Sequence, residues 1–324
     1  MSRVLLLSAL SALFVGFPAF LTEAAPRVFQ FNGQNYVLLR DWAERWQFEL
    51  QSLKKDEEFR LANRTTALLF KLNSQRAEIN GITVFLSFPL IAHQGEPYIA
   101  SKDIDHLLMP ILRPSKTHDR IRTIALCPGH GGKDAGFQVG AEQEKKYTLL
   151  LAREVQKSLH EAGFKVVLVR NSDEFVSFED RTQIAKRRHA DLYVSLHYNS
   201  AGPQNPDVHG SEVYCFTLAG THSTNGGSTD SGLAEPGSRN NDQNVLLAYQ
   251  MQKSLLRNLG MADRGVRRAR FVMLRLAQMP AVLIEAGFMS NPDEMRRIKD
   301  PLHRRRTAQA ILEALLAYKR IVES

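Results

Sequence analysis

Cysteine is scarce in this chain of 324 residues, which contains only Cys127 and Cys215. Two cysteines exclude a small secreted fold held together by several disulfides. Both lie in apolar, strand-like stretches, so a single disulfide and two buried free thiols remain open. With 44% hydrophobic residues, the chain is able to bury a core large enough for two domains.

Long apolar runs are absent as well, except at the N-terminus. Residues 4–21 are almost wholly apolar, follow Arg3, and precede the small residues Ala24 and Ala25. This order predicts a signal peptide over residues 1–25 and export to the periplasm or the medium. An uncleaved membrane anchor is the alternative, because a run of this length nearly spans a bilayer. We expect no stable membrane insertion after cleavage.

Acidic residues are fewer than basic ones, 34 against 42, which leaves a formal net charge of +8. A positive surplus favours an anionic partner such as nucleic acid, a membrane surface or an acidic polymer, although it also serves solubility alone. Two basic runs, "RGVRRAR" at residues 264–270 and "RRIKDPLHRRR" at residues 296–306, are candidates for such contacts. The alternative is that they are solvated faces of helices and loops.

The pattern of predicted secondary structure changes near residue 113. Residues 26–112 hold short strand-like segments and the turn pairs Asn32-Gly33 and Asn80-Gly81, which predict a small α+β accessory domain. Through "INGITVFLSFPLIAHQGEPYIASKDI" this part resembles the copper amine oxidase N-terminal-like domain, a resemblance of fold that implies no copper site. Residues 113–121 are polar and predict a linker.

From residue 122 to residue 324, strand-like runs alternate with amphipathic helices. This alternation predicts a three-layer α/β/α domain around a twisted, mostly parallel sheet. Residues 219–243 are rich in Gly, Ser, Thr and Asn and predict a long loop flanking the site. Because this loop contains Pro236 and several glycines, it favours helix poorly, and we expect it to form no helical plug over the site.

Four side chains with metal-binding or acid–base chemistry fall at strand ends or in a strand–helix connection. His130 follows the strand 123–127, His197 ends the strand 191–197, and Glu285 follows the apolar run 281–284. Ligands of open α/β sheets bind at the carboxyl ends of the strands. Glu144 lies in the connection after His130, which opens on the same edge, so these four side chains are expected to meet.

Two imidazoles and a carboxylate with one open position are typical of a catalytic zinc site. Glycines on both sides of His130 allow backbone and substrate to approach closely. A further carboxylate beside the metal serves as a general base. Each residue also has a structural alternative: the Gly-rich turn is able to bind an anion through its amides, and Glu144 complements the dipole of its helix.

Residues 122–322 resemble the zinc-dependent N-acetylmuramoyl-L-alanine amidases of the Amidase_3 type. The matching pieces, in order, are "PGHGGKDAG", "EKKYTLLLA", "VVLVRNSDEFVSFEDRTQIAKRRHADLYVSLHYNS", "HGSEVYCF", "GVRRARFVMLR" and "MPAVLIEAGFMSN". The resemblance implies zinc held by His130, Glu144 and His197, with Glu285 as the catalytic carboxylate. It also implies hydrolysis of the amide between the lactyl group of N-acetylmuramic acid and L-alanine in peptidoglycan, during wall remodelling, daughter-cell separation or lysis.

Cys127 departs from that family, which usually has an aspartate at this position. Arg181 matches a family arginine and is expected to brace the carboxylates of the site through a bidentate pair; the alternative is that it lies on a solvated helix face. Asn199 is expected to bind amides of the substrate, and Asn291 to cap the following helix.

Two other functions remain open. One is another exported zinc peptidase or deacetylase, although the chain lacks HExxH and paired H-x₃-H motifs. The other is a non-catalytic wall-binding protein that keeps the fold. Peptidoglycan is the expected partner and nucleic acid is not, and a protein activator stays open.

Overall fold

The computed structural model describes residues 26–54, 57–117, 120–226 and 235–323. The predicted signal peptide therefore lies outside the described residues, as do residues 118–119 of the predicted linker and residues 227–234 of the predicted loop. Within the described ranges, no helix combines the length and apolar character that crossing a bilayer requires.

The N-terminal part is built mainly of short strands. Those described are β1 (Val28–Phe31), β2 (Gln34–Leu38), β3 (Glu49–Leu53), β4 (Glu58–Ala62), β5 (Ala67–Lys71), β6 (Arg76–Ile79), β7 (Ile82–Phe85), β8 (Ile91–His93) and β9 (Glu96–Ala100). The helices are α1 (Leu39–Arg45), α2 (Ser101–Asp103) and α3 (Met109–Leu112), with a π-helical turn at Ile104–Leu108.

Both predicted Asn-Gly turns join adjacent antiparallel strands in this part. Asn32 and Gly33 have φ angles of 45° and 72°, and Asn80 and Gly81 have φ angles of 49° and 76°. Positive φ at both central residues is the requirement of the tight hairpin turn that Asn-Gly favours. The two turns connect β1 to β2 and β6 to β7, so the sequence-based prediction is confirmed.

The C-terminal part alternates strands and helices, as predicted. Its strands are β10 (Thr123–Pro128), β11 (Gln138–Val139), β12 (Glu142–Gln143), β13 (Lys165–Leu168), β14 (Leu192–Asn199), β15 (Ser211–Phe216), β16 (Asp263–Ala269) and β17 (Ala281–Phe288). Its helices are α4 (Glu144–Glu161), α5 (Phe178–Arg187), α6 (Asn241–Leu259), α7 (Val272–Leu276), α8 (Pro292–Lys299) and α9 (Pro301–Glu323).

One large sheet runs in the order β13-β10-β14-β17-β15-β16-β7-β6-β5-β4-β3. Strands β13, β10, β14 and β17 are parallel, β15 is antiparallel to β17, and β16 is parallel to β15. The mostly parallel sheet predicted for the C-terminal part is confirmed. As a result, β10, β14 and β17 end at the same edge of the sheet.

Side chains of β10 alternate between two separate cores, which produces the three layers. Ile124 and Leu126 join a core with α4, α6 and α9, whereas Ala125 and Cys127 join a core with α5 and α7. Successive side chains of a strand point to opposite faces, so one apolar strand serves both cores. Cys215 belongs to the first core, and both cysteines are buried free thiols; the disulfide left open by the sequence is not formed.

The N-terminal and C-terminal parts meet along β7 and β16, where Val84 pairs with Val266. The backbone N–H of Thr83 donates to Oδ2 of Asp263 at 2.7 Å. The buried guanidinium of Arg268 donates to the carbonyl of His106 at 2.8 Å. The two parts therefore share one hydrogen-bonded sheet.

The loop predicted over residues 219–243 is shorter than expected. A 3₁₀ turn occupies Pro236–Asn240, and α6 begins at Asn241. The predicted C-terminal bound of the loop is therefore wrong. Pro236 is compatible with this turn because it is the first residue of the turn, where a backbone N–H would make no hydrogen bond within the turn.

Candidate metal centre

Three predicted ligands lie together at the edge where β10 and β14 end. Nε2 of His130 is 3.0 Å from Oε2 of Glu144, and Nδ1 of His197 is 3.0 Å from Oε1 of the same carboxylate. One ligand atom from each residue lies within 4.8 Å of the other two. The carboxylate is thus placed between two imidazoles, as donors around one cation would be.

Glycines make this convergence sterically possible. A Cβ on Gly129 would lie 2.2 Å from Cε1 of His197, and a Cβ on Gly136 would lie 2.6 Å from Oε2 of Glu144. Side chains at either position would occupy the space of the ligands themselves. His130 itself has a φ of 59°, a left-handed backbone that turns the chain sharply after β10.

Asp134 was not predicted from the sequence, yet it orients the first histidine. Its Oδ2 lies 2.9 Å from Nδ1 of His130. Such a carboxylate holds the proton on Nδ1 and leaves Nε2 free to bind a metal. The spacing of four residues after His130, inside the Gly-rich segment, was the available signal for this contact.

The charges around Glu144 favour an ionised carboxylate. Burial opposes ionisation, but hydrogen bonds from His130 and His197 outweigh it and hold the pKa of Glu144 far below its usual range. Burial also lowers the pKa of His130, whereas Glu144 and Asp134 together raise it above the usual value. The ionised carboxylate lies between the two imidazole rings, so it supplies negative charge where a cation would bind.

Glu285 lies next to this group on β17, directly opposite His197 on the neighbouring strand. Its Oε2 atom is buried and has no hydrogen-bond partner. Burial, together with the charges of Glu144 and Glu212, raises the pKa of Glu285 well above the usual value. An unpaired buried carboxyl beside metal-type donors is a candidate acid–base group.

The four side chains open into one cavity of about 450 Å³. Apolar side chains form much of its remaining wall, among them Phe137, Phe178, Phe271, Val272, Met273 and Leu283. Asn199 also lines the cavity. A mostly apolar wall with a few convergent polar groups is typical of a small-molecule or substrate site.

Arg181 contacts backbone carbonyls rather than the carboxylates that were expected. The buried guanidinium donates to the carbonyls of Val176, Pro128 and His130 at 2.9–3.0 Å. It also lies 3.3 Å from Sγ of Cys127. The arginine thus holds the segment that carries His130, and Cys127 occupies the position next to its guanidinium.

Asn199 has its own amide engaged within the protein. Its Nδ2 donates to Oε2 of Glu212 at 3.1 Å, and its role toward substrate amides stays a prediction. Glu212 is buried and also accepts from Tyr214 and Arg264 at 2.6 Å. Arg267 lies 3.7 Å away, so two arginines of the run 264–270 pair with Glu212, whereas Arg270 of the same run lines the cavity.

The donor set fits a zinc ion. Two imidazole nitrogens and one carboxylate oxygen are ligand types that catalytic zinc sites use. Nε2 of His197 is buried without a partner, as is Oε2 of Glu285. Both residues line the cavity, so these two atoms are available to bind an ion or a substrate.

A comparison with protein families matches residues 124–317 to Amidase_3, described as N-acetylmuramoyl-L-alanine amidase. The chain is 31% identical over 224 residues to N-acetylmuramoyl-L-alanine amidase LytC of Bacillus subtilis, a match that covers 69% of this chain and 39% of LytC. It is 32% identical over 218 residues to N-acetylmuramoyl-L-alanine amidase AmiC of Neisseria meningitidis, covering 60% of this chain and 52% of AmiC. The chain spans about half the length, or less, of these two curated relatives.

Solved structures show the same similarity. N-acetylmuramoyl-L-alanine amidase AmiC2 of Nostoc punctiforme is 31% identical with a TM-score of 0.52, and the match covers 61% of this chain and 97% of that one. The catalytic domain of CwlV from Paenibacillus polymyxa is 29% identical with a TM-score of 0.51, covering 62% of this chain and 99% of that one. The part of the chain that carries the metal-type cluster is the part that matches.

Proposed function

Since this chain belongs to the N-acetylmuramoyl-L-alanine amidase family Amidase_3, we propose that it hydrolyses the amide between the lactyl group of N-acetylmuramic acid and L-alanine in peptidoglycan. One observation carries the proposal: His130, Glu144 and His197 converge within 4.8 Å, and Glu285 stands beside them in the same cavity. This is the set of groups that metal-assisted amide hydrolysis needs.

His130, Glu144 and His197 would hold the zinc ion. When bound, zinc supplies Lewis acidity toward the amide carbonyl and makes water more acidic. Asp134 keeps His130 in the tautomer that leaves Nε2 free, and Arg181 fixes the backbone of the same residue. The ligand set is therefore preorganised by groups that do not bind the metal themselves.

Glu285 carries the proton transfers. Its carboxylate takes a proton from the attacking water as the new C–O bond forms at the amide carbon. The C–N bond then breaks, and the carboxyl passes this proton to the nitrogen of L-alanine. One water is consumed, the lactyl group is left as a carboxylic acid, the peptide is left with a free amine, and Glu285 returns to its starting form.

Peptidoglycan lies outside the cytoplasmic membrane, so the proposed substrate requires export. The predicted signal peptide over residues 1–25 supports a periplasmic or secreted location. Exposed cations of the run 296–306, including Arg296, Lys299 and Arg305, support contact with a polymer that carries carboxylates.

The test uses purified peptidoglycan and mass spectrometry of the products. Wild-type protein is expected to release stem peptides with a free N-terminal alanine and glycan with free lactyl groups, and a chelator abolishes the release. Free amino sugars would instead indicate a deacetylase, and cleavage inside the stem peptide would indicate a peptidase.

A pair of variants separates metal binding from proton transfer. Glu285→Gln is expected to keep zinc, measured by atomic emission, but to lose a factor of about 10²–10⁴ in rate, the usual contribution of a general base. His130→Ala is expected to lose zinc and activity together. A fully active Glu285→Gln protein would refute the role of this carboxylate.

A further inference from the structure

Two phenylalanines stand unusually exposed beside the candidate metal centre. Phe175 is 47% exposed and Phe178 is 46% exposed. Among the described residues, few large hydrophobic side chains are as accessible, and Phe178 also lines the cavity that contains Glu285. Apolar surface kept in water beside a binding cavity commonly marks a ligand-contact region.

The segment of Asp173 and Phe175 lies against the segment that carries His130 and Glu144. The backbone N–H of Gly132 donates to Oδ1 of Asp173 at 2.8 Å, and Nζ of Lys145 donates to Oδ2 of the same residue at 2.8 Å. A Cβ on Gly132 would lie 2.6 Å from the backbone nitrogen of Phe175, so the two segments are in direct contact. The backbone that carries Phe175 therefore lies directly against the Gly-rich segment next to His130.

The helix start gives Phe178 further rigidity. Phe178 is the first residue of α5, directly after the cap Ser177, whose hydroxyl accepts the backbone N–H of Asp180 at 3.1 Å. Nζ of Lys133 lies 4.5 Å from the ring centroid of Phe175. A preorganised aromatic ring binds a flat apolar face without losing much side-chain entropy.

We propose that Phe175 and Phe178 form a glycan subsite, in which their rings stack on pyranose rings of the strand that carries the scissile amide. This inference rests on the proposed function, because it names the part of that substrate that lies at the mouth of the cavity. The C–H groups on a pyranose face carry partial positive charge, which the negative face of a phenyl ring attracts.

The other half of the substrate fits this surface less well. A stem peptide carries carboxylates, and the face of an aromatic ring repels negative charge. The methyl groups next to the amide, on the lactyl group and on L-alanine, match apolar side chains within the cavity such as Val272 and Leu283. We therefore assign the exposed rings of Phe175 and Phe178 to the sugar, which is larger than these methyl groups.

The experiment compares two substrates with the same stem peptide. One is a disaccharide-peptide that contains N-acetylmuramic acid, and the other is a lactyl-peptide without any sugar. For the double variant Phe175→Ala/Phe178→Ala, kcat/KM on the disaccharide-peptide is expected to fall about tenfold, mainly through KM, as loss of aromatic contacts predicts. On the lactyl-peptide, kcat/KM is expected to fall less, because only the sugar contacts the exposed ring faces, so the ratio of the two kcat/KM values falls in the variant.

Phe31→Ala is the matched control, because Phe31 is 44% exposed on β1 and does not line the cavity. This variant is expected to behave as wild type on both substrates. Phe178→Trp, combined with Phe175→Ala, is expected to recover part of the lost kcat/KM, whereas Phe178→Leu is not. Thermal unfolding of each variant separates a loss of contact from a loss of fold.

Two results would overturn the glycan subsite. Equal losses of kcat/KM on both substrates would assign the rings to the stem peptide or to the fold, and no loss on either would leave them without a role. Failure of the wild-type protein to cleave either substrate would refute the proposed function instead, so the two failures are distinguishable.

Discussion

At the scale of single residues, the candidate centre depends on two glycines as much as on its ligands. The hydrogen at Gly129 leaves room for the ring of His197, and the hydrogen at Gly136 leaves room for the carboxylate of Glu144. A methyl group at either glycine would occupy the same volume as a ligand. The backbone and the ligands are therefore packed as one unit, in which a small change displaces a donor.

Gly129→Ala is expected to reduce zinc affinity at least tenfold, because the new Cβ would lie 2.2 Å from the His197 ring. Isothermal titration with zinc measures the change. Gly140→Ala is the control, since Gly140 is nearby in the chain and a Cβ there meets nothing within 4 Å. Its positive φ of 58° costs some stability but leaves the donors in place. Equal zinc affinities for the two variants would contradict the steric account.

Asp134→Asn tests the orientation of His130. The amide keeps the size of the side chain but removes the charge that holds a proton on Nδ1. Loss of such a supporting group typically lowers metal affinity about 10–100-fold, and we expect a decrease of that size in a competition titration with a chelator. Asp173→Asn serves as a comparison, because Asp173 contacts the neighbouring Gly132 and not a metal-type ligand. An unchanged affinity in Asp134→Asn would show that the contact is incidental.

At the scale of elements, α2 ends on a buried acid that joins two segments of the N-terminal part. Oδ1 of Asp103 accepts the backbone N–H of Ser87 at 2.6 Å, and Oδ2 accepts that of Phe88 at 3.0 Å. Burial raises the pKa of Asp103 to about 6, although these hydrogen bonds and the charge of Arg268 oppose the shift. The turn between β7 and β8 is therefore held by a carboxyl group that titrates under mild conditions.

This raised pKa predicts a loss of stability as the pH rises. A group whose pKa is higher in the folded protein stabilises it below the unfolded value of 3.8, and this contribution is lost as the pH passes through about 6. A shift of this size corresponds to roughly 3 kcal/mol. Urea unfolding between pH 4 and pH 7 is expected to show the decline, and Asp103→Asn is expected to flatten it. An identical slope in this variant would assign the decline to other groups.

Much of the element order is predictable from local patterns, whereas β16 is not. The strand before His130 and the strands that carry His197 and Glu285 are apolar runs, so their type and their common edge followed from the sequence. In β16 the residues Arg264 and Arg267 interrupt the apolar pattern, and only their pairing with Glu212 across the sheet makes them compatible with a strand. Asp134 was missed for a similar reason, since its partner is fixed by the fold of a glycine-rich turn.

At the scale of the whole molecule, residues from the two predicted domains contribute to one continuous sheet. The contacts between them include the hydroxyl of Tyr249, which donates to the carbonyl of Ile79 at 3.0 Å, and Arg267, whose guanidinium lies 4.4 Å from the ring centroid of Phe85. These contacts join residues that are far apart in sequence, so local sequence patterns do not predict them. The two parts differ in sequence composition, but in the structure they are joined by hydrogen bonds between β7 and β16.

We therefore expect the two parts to unfold in one cooperative transition. Both tryptophans of the chain, Trp42 and Trp46, lie in the N-terminal part, so their fluorescence reports only that part. Far-ultraviolet circular dichroism reports mainly the helices of the C-terminal part. The two signals are expected to change with the same midpoint in urea. A fluorescence midpoint clearly below the dichroism midpoint would show that the N-terminal part unfolds separately.

The position of β7 has one more consequence. It covers the backbone groups of β16 that would otherwise form the open margin of the catalytic sheet. Unpaired strand margins are templates for joining other chains. A truncated fragment that begins at residue 122 would present this margin to solvent, so it is expected to form concentration-dependent aggregates, visible by light scattering, at concentrations where the full chain stays monodisperse.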